Sequence, residues 1–252
     1  MKRPGLILYG ASAYVLFNVV FLYMIGFLLD LFVPKSINDG ALIPTAAAVA
    51  VNAFLIFLFG FFHSLMAREK FKRVWTKIIP PDAERSTYVL QSAVFLAVAM
   101  AFWQPLPTSI WSFDGGLAVA AYGVCGLGVF LVLLSTFLID HFELFGLRQI
   151  WCAGREKPMP QPVFRTPMLY RFVRHPMQLG IILLFFGTPH MTIGHLLFAS
   201  LMTVYVMIGL WFEERALVRE FGEAYRNYQR NVPMLIPRLT PIKTRQLEPQ
   251  HS

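Results

Sequence analysis

The chain has 252 residues, of which 22 are Lys or Arg and 14 are Asp or Glu, a charged share of 14 % against about 25 % in a typical soluble domain. With 56 % hydrophobic residues and 24 Phe, too little polar surface remains to cover a water-soluble fold, and a disordered or collagen-like chain is excluded with it. Two cysteines rule out a disulfide scaffold or a Cys-rich metal site, and the net charge of +8 leaves three readings: nucleic acid, anionic lipid, or the topology signal of a membrane protein.

Uncharged runs decide the class. Leu6–Leu29, Ala41–Ala67, Ser86–Phe113 (helical to Trp103, before Pro105 and Pro107) and Gly115–Ile139 are each free of Asp, Glu, Lys and Arg, and about 20 apolar residues suffice for a spanning helix. The first run follows Lys2-Arg3 as a signal peptide would. Its length and the lack of a small-residue cleavage site make it a retained anchor. His175–Phe212 is too long for one span and breaks at Gly187-Thr188-Pro189, a turn between two helices. The expectation is an all-α polytopic bundle of six transmembrane segments, the last two a hairpin, forming one domain over residues 1–252. Under that count 21 of the 22 basic residues fall on one side and only Lys35 on the other. The positive-inside rule then puts both termini in the cytoplasm. The charge becomes topology and membrane-lipid contact, and nucleic acid drops out as a partner.

Polar groups at membrane depth are costly and therefore candidates for function. The fifth segment offers only 12 apolar residues, Met177–Thr188, against 22 in the sixth, Met191–Phe212. If the two are antiparallel partners, Arg174 and His175 lie at bilayer depth facing protein, with Pro176 removing a backbone donor and Gly180 allowing close approach. Glu213 and Glu214 interrupt the sixth segment at the membrane edge, where a carboxylate needs a partner or ligand and Arg174 is available. Leu217, Phe221, Tyr225 and Tyr228 continue at helical spacing, with Arg219, Glu223 and Arg226 able to pair on the other face. Two further clusters, Asp140–Trp151 with His141 and Arg148, and His63–Arg68, fall on the same cytoplasmic side. The bland readings are a snorkelling basic anchor, a structural ion pair and interfacial histidines.

Arg174-His175-Pro176, Gly180, Glu213-Glu214-x-x-Leu217-x-x-x-Phe221-Gly222-x-x-Tyr225-x-x-Tyr228 and Val232-Pro233-x-x-Ile236-Pro237 resemble the C-terminal half of the isoprenylcysteine carboxyl methyltransferase and phospholipid methyltransferase superfamily. His63-Ser64-x-Met66-Ala67-Arg68, Glu84–Leu90, Phe145–Gln149 and Met191–Phe198 narrow the resemblance to the membrane-bound methanethiol S-methyltransferases, relatives of the NnrU-like proteins. The resemblance implies methyl transfer from S-adenosylmethionine (SAM) to methanethiol, giving dimethyl sulfide and S-adenosylhomocysteine, at the cytoplasmic face of a bacterial inner membrane. It places the SAM-binding part at about residues 165–238, with Tyr170, Arg174, His175, Pro176, Gly180, Glu213, Glu214 and Tyr225 around the cofactor. Arg174 and His175 would hold its carboxylate, a glutamate its ribose or ammonium. Gln178 departs from the aromatic residue common in the superfamily two places after the proline, which bears on the substrate rather than the methyl donor.

The acceptor reacts as a thiolate, and a simple alkanethiol is protonated at neutral pH. His141 and His63 are the candidate bases and Arg148 the candidate thiolate stabiliser; no metal is expected. Two rivals remain open: a lipid-acceptor methyltransferase, and a non-enzymatic NnrU-like protein of transport or nitrogen-oxide metabolism.

Overall fold

Each uncharged run becomes a helix in the computed structural model, which describes residues 3–155, 157–160 and 164–242; Lys2, Lys243 and Arg245 of the charge count lie outside them. In chain order the elements are α1 (Arg3–Leu29), α2 (Thr45–Met66), α3 (Glu69–Trp75), a 3-10 turn (Pro81–Ala83), α4 (Glu84–Ala101), β1 (Ser109–Ser112), α5 (Gly115–Ile139), α6 (His141–Leu144), α7 (Leu147–Gly154), a second 3-10 turn (Met168–Arg171), α8 (Pro176–Phe186), β2 (His190–Thr192), α9 (Ile193–Phe221) and α10 (Glu223–Asn231). Four of them, α1, α2, α5 and α9, are long and apolar enough to cross a membrane, as suits a helical membrane protein. The other two expected spans are the 18-residue α4 and the 11-residue α8. Pro176 starts α8 at the position where a missing N–H costs nothing.

One element departs from the all-helical expectation. β1 and β2 form an antiparallel pair with Ser109 opposite Thr192, Trp111 opposite Met191 and Ser112 opposite His190. Two loops that leave the bundle at the same end satisfy each other's backbone groups this way. Trp111 adds a bond from its Nε1 to Thr188 O at 3.1 Å.

The connections sort to two ends. At one, Lys35 donates from Nζ to Ala101 O and Trp103 O at 2.7 and 3.0 Å, capping the orphan carbonyls that end α4. There too Asn52 and Gln104 exchange two bonds of 2.8 Å and Thr192 donates to Asn38 at 2.9 Å. At the opposite end Arg85 Nε donates to Leu144 O at 2.8 Å, and Tyr9 and Thr87 bond at 2.8 Å. The helices α1, α2, α4, α5, α8 and α9 thus alternate in direction. Phe27, Trp103, Phe185 and Phe198 are fully buried where they meet.

Backbones touch between α5 and α8. A Cβ on Gly180 would stand 2.6 Å from Gly128 O and 2.9 Å from Val132 N; one on Gly128 would stand 2.6 Å from Gly180 O. Close backbone approach through small residues is how helices pack where lipid offers no hydrophobic drive. The short α8 is held by α5 along its length.

Candidate functional site

The site is assembled by a chain reversal after α9. Gly222, at φ +57° and ψ −130°, holds a conformation that side chains disfavour, and it separates α9 from α10. The expected Arg219/Glu223 pair is broken up by that turn. Glu223 lies instead 2.6 Å from Arg226 and 3.5 Å from Arg230. α10 folds back over Phe164, Leu217 and Phe221, burying Tyr225, Tyr228 and Val232. The following segment runs beside the Arg174-His175 stretch: Arg174 N donates to Pro233 O at 2.9 Å, His175 N to Met234 O at 3.2 Å, and Arg238 N to Phe172 O at 3.0 Å. Tyr228 closes the strap by donating to Tyr170 O at 2.6 Å.

Under that strap Glu214 is a hub. Its carboxylate accepts from Arg174 Nε and Nη2 at 2.8 and 3.0 Å, His175 Nε2 at 2.8 Å, Tyr225 OH at 2.9 Å and Gln229 Nε2 at 2.6 Å. The side chains of Arg174 and Glu214 are only 11 % and 12 % exposed. Arg174 Nη1 donates in addition to Gln229 O at 3.0 Å and to Val232 O. Four of its five N–H groups are therefore committed to protein. Burial, and then the Glu214 charge, push the Tyr225 hydroxyl above its usual range, so it stays a donor. The sequence expects Arg174 to hold a ligand carboxylate; in the structure its guanidinium ties α8 to α9 and to the strap.

Glu213, one residue along, is 47 % exposed. Its neighbours are Gln178 Nε2 at 3.4 Å and His175 Nδ1 at 3.9 Å. Tyr170 is buried, and burial first, then Glu213, holds its hydroxyl above the ordinary range. So Tyr170, His175, Glu213, Glu214 and Tyr225 are brought together, with Pro176 opening the helix beneath them. Gly180 is not at this cluster; it lies against Gly128.

The three residues expected to act on the thiol come from two clusters, His141 with Arg148 around α6 and α7, and His63 on α2 against α4. His141 is 6 % exposed, with Nε2 2.8 Å from Tyr14 OH and Nδ1 2.9 Å from Thr136 Oγ1. Its ring stacks on Phe137 at 4.2 Å and is closed in by Phe142 and Phe145. Burial in this cage lowers its pKa and keeps it neutral. Arg148 pairs with Asp140, and with Glu143 at 3.6 Å, so two carboxylates offset its field. His63 lies between Tyr88 OH, 2.6 Å from Nε2, and Ser92 Oγ, 2.8 Å from Nδ1. Tyr14, Tyr88 and Gln229 escape the sequence reading. Tyr14 and Tyr88 come from other helices, 127 and 25 residues from the histidines they contact, and only the Glu84–Leu90 motif carried a hint of the second.

Comparison with known proteins adds an identity. The chain is 47 % identical over 237 residues to methanethiol S-methyltransferase 2 of Bradyrhizobium diazoefficiens, covering 94 % of this chain and 92 % of that one. It is 47 % identical over 238 residues to the methanethiol S-methyltransferase of Mycobacterium tuberculosis, covering 94 % and 98 %. A more distant likeness, 30 % over 172 residues and 64 % of this chain, is to Nurim of Xenopus laevis. No family model matches, and no solved structure does. On the strength of near-half identity along almost its whole length, the chain belongs to the methanethiol S-methyltransferase family.

Proposed function

We propose that this protein methylates methanethiol to dimethyl sulfide with SAM as donor, at the cytoplasmic edge of a six-span bundle in the bacterial inner membrane. The observation that carries the reading is the division of labour between the adjacent glutamates: Glu214 is consumed by the clamp while Glu213 is left half exposed beside His175 and Gln178. His175 is flanked by both glutamates, with Glu214 Oε1 2.8 Å from its Nε2 and Glu213 Oε1 3.9 Å from its Nδ1. The half-exposed Glu213 carboxylate fits a donor-rich, cationic ligand end, an ammonium or a ribose diol. When bound, SAM supplies an electrophilic methyl group on a sulfonium. Glu213 and His175 would hold it, with Gln178 and Tyr170 beside them; Glu214, Arg174 and Tyr225 position His175. Arg85, whose Nε donates to Leu144 O at 2.8 Å, is a cation on the same side that an anionic group could meet. The segregation of the connections to two ends supports the six-span count, with the basic end cytoplasmic.

Headspace chromatography of cells expressing the protein and fed methanethiol tests the reading, and dimethyl sulfide above control is expected. None above control, or product only from a prenylcysteine acceptor, overturns it. Glu213→Gln should weaken S-adenosylhomocysteine binding in calorimetry by about 10-fold or more, the loss of a charge-assisted bond. Stability should move by no more than about 0.5 kcal/mol, because Glu213 supports little of the fold.

A further inference from the structure

Two histidines sit in hydrogen-bond chains of the same design, and the chains fix which nitrogen carries the proton. Ser92 Oγ–H donates to Tyr88 O at 2.7 Å. A hydroxyl has one proton, so toward His63 Nδ1, 2.8 Å away, the Ser92 oxygen accepts. His63 is therefore the Nδ1–H tautomer, its Nε2 carries the lone pair, and Tyr88 OH donates to it at 2.6 Å. The same logic runs through the other chain. Thr136 Oγ1 donates to Leu133 O at 2.7 Å and accepts from His141 Nδ1, and Tyr14 OH donates to His141 Nε2.

Surroundings separate the two. His141 and Tyr14 are walled by Phe137, Phe142 and Phe145. Tyr88 is only partly buried. Arg85 sits over its ring at 5.0 Å, the His63 ring meets Tyr205 of α9 edge-on at 6.0 Å, and Arg68 stands over Phe212, next to Glu213, at 5.4 Å. His63 lies behind it, stacked against Phe59 at 5.4 Å. The tyrosine oxygen, having given its proton toward His63, keeps lone pairs that can accept from a second donor.

We infer that Tyr88 meets the acceptor thiol, that His63 takes the proton through it, and that Ser92 is a positioning residue that sets the His63 tautomer. The inference rests on the methyltransferase reading above. In the step, the thiol S–H bond breaks and its proton passes to Tyr88 Oη, as the proton of Tyr88 passes to His63 Nε2. Arg85 offsets the thiolate charge. The thiolate sulfur then bonds to the methyl carbon of the sulfonium donor as the donor's carbon–sulfur bond breaks, its electron pair staying on the donor's sulfur. His63 afterwards releases its proton to water.

Tyr88→Phe should lower kcat by about 100-fold, within the span of general acid–base catalysis, with KM for methanethiol and S-adenosylhomocysteine affinity changed by less than about threefold. Tyr14→Phe should keep kcat within about threefold of the parent. A Tyr88→Phe enzyme that still binds S-adenosylhomocysteine and keeps kcat within about threefold overturns the assignment while leaving the methyltransferase reading intact; parent protein that makes no dimethyl sulfide overturns that reading instead. Independently of turnover, nitrogen-15 spectra of the full-length protein in detergent, assigned against His63→Gln, should show His63 as the Nδ1–H tautomer, shifting toward a mixture in Ser92→Ala. An Nε2–H tautomer in the parent overturns the relay.

Discussion

Glu214→Ala should lower the melting temperature of the detergent-solubilised protein by roughly 10 °C, the equivalent of about 3–5 kcal/mol, and abolish methyl transfer. The size follows from what the substitution strands. Arg174 would keep its charge at 11 % exposure with only the carbonyls of Gln229 and Val232 to face it, and His175, Tyr225 and Gln229 would each lose a charged acceptor. Removing one partner of a buried pair costs far more than removing both, because the survivor remains desolvated and unpaired. The double replacement Arg174→Met with Glu214→Leu should therefore recover much of the lost melting temperature without recovering activity, since His175 would no longer be aimed. An unchanged melting temperature in Glu214→Ala would mean that the ion pair is solvated and the clamp contributes nothing to the fold.

Gly128→Ala and Gly126→Ala, two residues apart on α5, should have opposite signs. At Gly128 the new methyl would meet Gly180 O and Leu184 N, each at 2.6 Å. Backbone cannot swing aside as a side chain can, so α8 must move away, a cost of about 1–3 kcal/mol or more by the measure of overpacked cores. The displacement carries His175 with it, so turnover should fall too. At Gly126 nothing lies within 4 Å; there the gain in helix propensity, about 0.5–1 kcal/mol, is unopposed. Gly180→Val, meeting the same surface from the other helix, should be the most damaging of the three. Thermal unfolding in detergent with dimethyl sulfide production measured alongside checks all of them, and equal behaviour of Gly128→Ala and Gly126→Ala would refute the close approach.

The spans were readable because charge is expensive in hydrocarbon and its absence is visible one residue at a time. Gly115–Ile139 is bounded alike in sequence and structure. α9 outruns its apolar stretch by nine residues to Phe221, since Glu213–Phe221 finds partners in the strap rather than in lipid. The pairing of Arg174 with α9 was legible from the mismatch in length between the two segments. That Glu214 rather than Glu213 takes Arg174, and takes nearly all of it, was not, because two of the competing acceptors are carbonyls of Gln229 and Val232 and every residue has a carbonyl. The histidine chains were hidden for another reason. Tyr14 meets His141 across 127 residues, and no local spacing encodes a partner that distant. The strand pair between 109–112 and 190–192 was missed because neither segment is long enough to show alternation.

The strap over Arg174 also orders events in the life of the nascent chain. Helices α1 to α9 precede it, so residues 229–234, which supply the carbonyls facing Arg174 and His175, are the last part of the site to be made. Until they arrive, the Arg174 guanidinium has Glu214 but not the Gln229 and Val232 carbonyls. Completion of the clamp is therefore a late act of assembly, and a chain that ended before Gln229 would leave Arg174 Nη1 and the backbone N–H groups of Arg174 and His175 without the carbonyls that take them.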